Sequence, residues 1–227
     1  VDSLSKSLSS MVTIKDKNSQ IVVVIPRSQV ILKNFLLPSH SREELQKMIG
    51  LQMVTQVPYA REDIIFDYAV IGHSGTGHAK VLSAVVHRDV INEFLKIFRS
   101  AGLPIHQFIL SSSSIVKWFN GQHPQEAKSE NATIGILHME ADKSELCFSR
   151  QGQMVYAREI KYGQRDIGAD FEHLFLKDLS LTLETYMREH PGDAILKIYL
   201  LAPRSLHGLL LEKISFPGNI HVACLDP

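Results

Sequence analysis

Between Gly121 and Asn131 the chain carries glycine, proline, glutamine, glutamate, lysine, serine and asparagine, and almost nothing apolar. A stretch of that composition reads as a surface linker and predicts a domain boundary. On either side, apolar residues fall into short runs at strand or helix spacing, in two different orders. A length of 227 residues suits one large domain or two small ones. Such a chain can bury roughly 70% of its unfolded surface, so it needs no disulfide or metal staple.

The part before the linker begins with Leu4–Val12, a candidate short helix with Leu4, Leu8 and Met11 on one side. Asp16–Asn18 is turn chemistry. Ile21–Ile25 is a continuous β-branched and aliphatic run, the pattern of a strand buried on both faces, and Pro26 stops it. Val30–Leu37 reads as a strand ended by Pro38. Ser41-Arg42-Glu43-Glu44 has the form of a capping box. The helix behind it runs to about Gln56, with Leu45, Met48, Ile49 and Gln52 or Met53 at helical spacing. Ile64–Ile71 and Ala79–Val86 read as strands joined by the glycine-rich turn Gly72–Gly77. Asp89–Arg99 is a helix with Val90, Ile91, Phe94, Leu95 and Phe98 as its apolar face. Gly102 stops it, and Ile105–Leu110 is a further strand. The order is β-α-β-β-α-β, the ferredoxin-like pattern.

Ser111–Ser114 reads as capping and turn chemistry before a short helix, Ile115–Phe119. Trp118 and Phe119 then suit a hinge or packing role, with a partner-facing aromatic as the alternative. After the linker come strands at Ala132–His138, Glu145–Ser149 and Met154–Ile160, with turns at Asp142-Lys143 and Gln151-Gly152. A long helix runs from about Arg165 to Glu189, with Ile167, Phe171, Leu174, Phe175, Leu179, Leu183, Tyr186 and Met187 as its stripe. Pro191-Gly192 ends it. A strand at Ile195–Leu201, a helix at Ser205–Ile214 and a strand at Asn219–Cys224 complete the order β-β-β-α-β-α-β. That is the ribonuclease-H-like core, which is also each half of the actin fold.

Several function classes are disfavoured. Lysine plus arginine and aspartate plus glutamate both number 24, so the chain lacks the basic balance of a nucleic-acid binder. Two cysteines, Cys147 and Cys224, fit a reducing compartment. No apolar run approaches the roughly 18 residues of a membrane span. Gly72–Gly77 has no following Lys-Ser/Thr and precedes a strand, so it reads as a hairpin turn and not a phosphate loop. His138, Glu140 and Asp142 lack a further histidine or cysteine at metal-ligand spacing. A ribonuclease-H nuclease needs converging carboxylates, and Ala132–His138 supplies none. No Gly-x-Ser-x-Gly elbow is present.

The two element orders in succession resemble the PilM family, actin-like proteins of type IV pilus assembly, with the cytoplasmic domain of GspL as a relative. Ile25-Pro26-Arg27, Val30-Ile31 and Leu37-Pro38 resemble the family's strand-proline signature. Val57-Pro58-Tyr59 with Asp67-Tyr68, Ser100-Ala101-Gly102-Leu103, and Phe148–Gly163 with Arg158-Glu159-Ile160 and Gly163 resemble three further segments. The resemblance runs from Ile21 onward. It implies an α/β chain of actin-like, ribonuclease-H-like architecture with an inserted ferredoxin-like subdomain and a truncated N-terminal body. The expected parts are 1–28 as a remnant of the first actin-like subdomain, 29–110 as the insertion, 111–131 as helix and linker, and 132–227 as the second actin-like subdomain.

Many family members bind ATP between two phosphate hairpins and an adenosine loop. The chain begins at Val1, downstream of where the first hairpin is expected. In the second hairpin, Asp-x-Gly is replaced by His138 and Glu140. A neutral imidazole is a poor magnesium ligand. A glutamate facing a phosphate adds repulsion of about 1–4 kcal/mol at 4 Å for partly solvated charges. In the adenosine loop, Gly-Gly is replaced by Ala202-Pro203, and proline has no N–H and blocks close approach. The expectation is no catalytic residue, no bound cofactor or metal, and a non-enzymatic scaffold on the cytoplasmic face of the inner membrane. The alternative is an actin-like ATPase whose first hairpin is missing here. The resemblance further implies a bitopic PilN-like partner whose tail lies near Arg27, Leu36, Pro58 and Tyr59. The assembly motor ATPase and a second copy are further possible partners, and nucleic acid is not among them.

Overall fold

A computed structural model of the chain describes residues 2–11, 19–75, 77–128, 132–168, 171–214, 216 and 220–225. The turn expected at Asp16–Asn18, and Val12, Thr76 and Asn219 in other expected elements, lie outside them. The chain packs as two compact units, Val1–Ser111 and Ser112–Pro227.

In the first unit, helix α1 (Asp2–Met11) lies against helix α3 (Arg88–Ser100). Its Ser9 Oγ–H reaches the Ala101 carbonyl at 3.2 Å. The apolar side expected of α1 is not what it buries, because Leu4 is exposed and Ser5 is buried. Strand β1 (Ile21–Ile25) pairs in parallel with β5 (Ile105–Leu110), and the two form their own sheet. A second sheet contains β2 (Val30–Leu37), β3 (Ile64–Ser74) and β4 (His78–His87), ordered β2-β4-β3 and antiparallel throughout. Two expectations are corrected here. Ile105–Leu110 does not close the ferredoxin-like sheet, because it pairs with β1. That leaves the insertion one strand short of the full pattern. Nor is β1 buried on both faces: Val23 and Ile25 are buried while Val22 and Val24 are 42% and 47% exposed.

Helix α2 (Arg42–Gln56) covers one face of the three-stranded sheet. Leu45, Ile49 and Met53 recur at helical spacing and pack with Phe35, Leu37, Val57, Ile64, Ala79, Val81 and Val85. Each such side chain taken out of water contributes about 1.5–3 kcal/mol. The start of α2 differs from the expected capping box. Ser41 makes no side-chain cap bond. Instead Ser39 Oγ accepts from the Ser41 N–H at 3.0 Å and donates to Glu44 Oε2. In α3 the buried residues are Ile91 and Ile97, while Leu95 faces water, so the expected stripe was rotated. Gly102, at φ +72°, lets the chain leave α3 toward β5.

The second unit is a five-stranded sheet in the order β10-β9-β6-β7-β8, the ribonuclease-H-like arrangement. Its strands are β6 (Thr133–Met139), β7 (Ser144–Arg150), β8 (Gln153–Ile160), β9 (Ile195–Leu201) and β10 (His221–Leu225). Strands β6, β9 and β10 run parallel, and β7 and β8 fold back as antiparallel neighbours. Strand β6 is central and almost wholly buried. Its Gly135 is required by packing: a Cβ there would sit 2.7 Å from Ile198 Cγ1.

Helix α6 (Phe171–Glu189) buries Phe175, Leu179, Leu183 and Tyr186. Tyr186 stacks on Phe148, with ring centroids 4.1 Å apart. Burial pushes its phenol well above the ordinary range, and Asp193 adds to this; the Thr133 hydrogen bond pulls the other way. Leu174 and Met187, expected in the stripe, are exposed. The helix also starts later than Arg165, because Gln164–Asp166 is a separate 3-10 turn. Helix α4 (Ser111–Gln122) begins directly after β5, so Ser111–Ser114 is helical and not a turn before a helix. Pro124–Ala127 forms a further helical turn, α5, with Ala127 buried. The polar stretch is thus largely folded up to Lys128. Arg204–Leu206 is a 3-10 turn leading into α7 (His207–Lys213), so the helix expected from Ser205 starts two residues later.

Candidate functional site

The β6–β7 turn, where the second phosphate hairpin was expected, is held from outside by the segment after β8. Gly163 lies so close to it that a Cβ would meet Lys143 N at 2.4 Å, the Glu140 carbonyl oxygen at 2.6 Å and Ala141 C at 2.7 Å. Only a residue without a side chain fits. From this position the Gln164 N–H donates to the Glu140 carbonyl and the Arg165 N–H to the Ala141 carbonyl, both at 2.9 Å. Gln164 Nε2 donates to the Met139 carbonyl at 2.8 Å. The Glu140 N–H is directed to the Lys143 carbonyl at 2.8 Å. The turn is therefore a closed knot of backbone bonds.

Its side chains carry mostly negative charge. His138 Nδ1 lies 3.8 Å from Glu140 Oε1. Burial holds the His138 imidazole below the usual histidine range, against the opposing pull of Glu140. Asp142 pairs with Arg165 at 2.7 Å on the exposed side. Lys143 pairs with Glu159 at 2.9 Å. Burial pulls the Lys143 pKa down, but the hydrogen bond and charge of Glu159 and the fields of Glu140 and Glu145 outweigh it, so the net shift is upward. Glu145 itself is buried on β7, 2% exposed, and accepts a hydrogen bond from Ser112 Oγ in the first turn of α4. A carboxylate beside the N-terminal turn of a helix is favourably placed.

At the end of β9, the expected adenosine loop is engaged within the fold. The Ala202 N–H donates to the Leu225 carbonyl at 3.3 Å. The Ala202 carbonyl lies 2.8 Å from His207 Nε2, which reaches it as a donor. Pro203 has no N–H to offer. A magnesium nucleotide needs a cation-binding carboxylate beside free backbone N–H donors. At these positions the Ala202 N–H is engaged, Pro203 has no N–H, and the Glu140 carboxylate lies beside the His138 imidazole. Among the described residues, no three histidine, cysteine or acidic side chains converge as a metal site.

The residues expected near a partner separate into two groups. Arg27 Nη1 donates to the Val30 carbonyl, and Val30 pairs with Val86. The Tyr59 ring lies 5.0 Å from that of His87. Arg27, Pro58 and Tyr59 therefore gather around the Val86–His87 end of β4. Leu36, opposite Lys80, lies six residues along the strand, about 20 Å away. Of the remaining candidates, the glycine-rich segment lies where β3 ends and β4 begins, with the Gly77 N–H on the Ser74 carbonyl at 3.1 Å. Phe119 is fully buried against Tyr199 and His123, while Trp118 is half-buried. Both cysteines are free thiols.

Sequence reasoning missed Glu145 and the Gly163 contact with the turn. Glu145 could have been found: it is the charged residue next to the apolar run Leu146-Cys147-Phe148 in a strand expected to be buried. The Gly163 contact joins residues about twenty positions apart, and no local pattern announces it.

Residues 1–193 match the family description "Type IV pilus assembly protein PilM". No curated protein sequence matches the chain. Among solved structures, a PilM–PilN type IV pilus biogenesis complex aligns with a TM-score of 0.72 at 15% identity, covering 97% of this chain and 74% of that one. The cytoplasmic domain of EpsL, an inner-membrane component of the type II secretion system of Vibrio cholerae, aligns with a TM-score of 0.63 at 13% identity, covering 100% and 74%.

Proposed function

The chain belongs to the PilM family of type IV pilus assembly proteins, and on that premise we propose that it is a non-catalytic scaffold of a pilus or type II secretion platform. It holds the cytoplasmic tail of a bitopic, PilN-like membrane partner at the inner membrane and does not turn over nucleotide. The observation that carries this reading is the state of the two loops a nucleotide would need. The Ala202 N–H is engaged inside the fold, Pro203 has no N–H, and His138 and Glu140 stand where the magnesium-holding aspartate and the phosphate-facing glycine are expected.

The similar PilM structure is a complex with PilN, which supports a tail-binding role here. Arg27, Pro58 and Tyr59 are the expected neighbours of that tail. An extended segment lying there would present alternate side chains to the Tyr59–His87 ring pair. Leu36 lies too far along β2 to join the same short contact.

Two measurements on the full chain test the reading. Calorimetric titration with Mg-ATP is expected to show no heat of binding; micromolar affinity overturns the nucleotide-free reading. A fluorescent peptide copying the N-terminal tail of the PilN-like partner is expected to bind, and Tyr59→Ala is expected to weaken it at least tenfold. Equal binding to both proteins removes the site; no binding to either removes the tail.

A further inference from the structure

We infer that the outer edge of β2 is a self-association surface, on which a second copy of the chain adds its own β2 antiparallel to form a continuous six-stranded sheet. The inference is independent of the tail-binding reading. In the expected ferredoxin-like order the last strand would lie beside β2. That strand, β5, pairs with β1 instead, and among the described residues no strand pairs with the outer side of β2.

The two edges of this sheet are built differently. Edge strand β3 breaks register between Val70 and Gly72, and its exposed Asp67 turns a carboxylate oxygen onto the Tyr68 N–H at 2.9 Å. A bulge and an edge carboxylate are devices that block strand addition. Strand β2 has neither, and only its first residue is covered, where Arg27 engages the Val30 N–H and carbonyl. It pairs with β4 over eight residues without a break, and proline flanks it at Pro26 and Pro38 but does not interrupt it. Lys33 is its only charged residue, and Leu36 is 56% exposed. A long, unbroken, mostly apolar edge is a template for pairing.

The strand is also complementary to itself, which selects a second copy as the occupant. Ile31, Phe35 and Leu37 share the α2 face; Leu32, Asn34 and Leu36 share the other. Antiparallel strands related by a two-fold axis oppose residues of the same face. With the axis at Asn34, Asn34 meets Asn34 of the second copy, Leu32 meets Leu36, Ile31 meets Leu37 and Lys33 meets Phe35. The first three pairs match amide with amide or apolar with apolar, and the fourth sets a lysine against an aromatic ring with no like-charge contact. One step back, Lys33 would oppose Lys33, a like-charge pair that is disfavoured. One step forward, the paired stretch shortens. A closed two-fold contact follows.

The test uses the full chain in a Cys224→Ser background, leaving buried Cys147 as the native thiol. Asn34→Cys is expected to give a disulfide-linked dimer under mild oxidation, and Asp67→Cys on the guarded edge is expected to give at least tenfold less. Sedimentation of the unmodified chain is expected to rise from monomer toward twice that mass with concentration. Leu36→Lys is expected to shift that rise at least tenfold higher in concentration with an unchanged melting curve. A chain that stays monomeric at every concentration and gives no Asn34→Cys dimer overturns the inference. So do equal yields at both edges, or Asn34→Cys linking only to the partner-tail peptide.

Discussion

The two units differ in how their sheets are built and in how their polar side chains are held. The second unit ties polar side chains to one another across its elements. Arg150 pairs with Asp193 at 2.7 Å, and Asp193 accepts from the Tyr186 hydroxyl at 3.0 Å. Glu145 is held by Ser112, and Lys143 by Glu159. The first unit divides its strands between two small sheets and leaves Val22, Val24, Leu36, Leu51 and Val54 in water. Small sheets with free edges tolerate exposed apolar residues and keep backbone donors available. The contrast is between one continuous five-stranded sheet and two small sheets with free edges.

The largest effect expected to separate the units is Phe148→Ala. It opens a cavity beneath Tyr186 and is expected to cost about 3–5 kcal/mol, read by denaturant unfolding. A loss below 1 kcal/mol would mean that this core is not tightly packed. Next comes Ser112→Ala, which leaves the buried Glu145 carboxylate without that donor and is expected to cost about 1–3 kcal/mol.

A smaller effect concerns pH. His138 has a lowered pKa in the folded state, so the unfolded chain binds the extra proton first as pH falls. Stability is then expected to rise with pH from the folded pKa up to the unfolded value of about 6.5. His138→Gln is expected to flatten that slope in thermal melts across pH 5–7. An unchanged slope assigns the dependence elsewhere. The smallest effect is at Val24→Thr on the exposed face of β1, expected within about 0.5 kcal/mol of the unsubstituted chain. A loss of 2 kcal/mol or more would show that this face is covered in solution, and would blur the contrast between the units.

Much of this was legible in the sequence where local chemistry decides. Pro26 and Pro38 bracket β2, Gly102 ends α3, and Gln151-Gly152 makes the β7–β8 turn with both residues at positive φ. Phe175, Leu179, Leu183 and Tyr186 marked the buried side of α6 by spacing alone. The failures arose where burial depends on a distant neighbour. Leu174 and Leu95 fit their stripes but face water. Val22 and Val24 belong to a run that suits a doubly buried strand, yet the pair β1–β5 leaves one of its faces exposed. Ser41 has the form of a cap, while Ser39 performs the contact.

The sequence by itself determined the order of most strands and helices and the residue types at His138, Glu140, Ala202 and Pro203, on which the proposed absence of nucleotide chemistry rests. Those are statements about side-chain chemistry and backbone preference at single positions, which act locally. Only the tertiary structure decided that β5 leaves the insertion to join β1, that Gly163 lies against the β6–β7 turn, and that Arg27 and Tyr59 share one end of a sheet while Leu36 lies at the other. Strand pairing and close backbone approach join residues far apart in the chain. Their energy comes from packing and hydrogen bonds that no single segment contains.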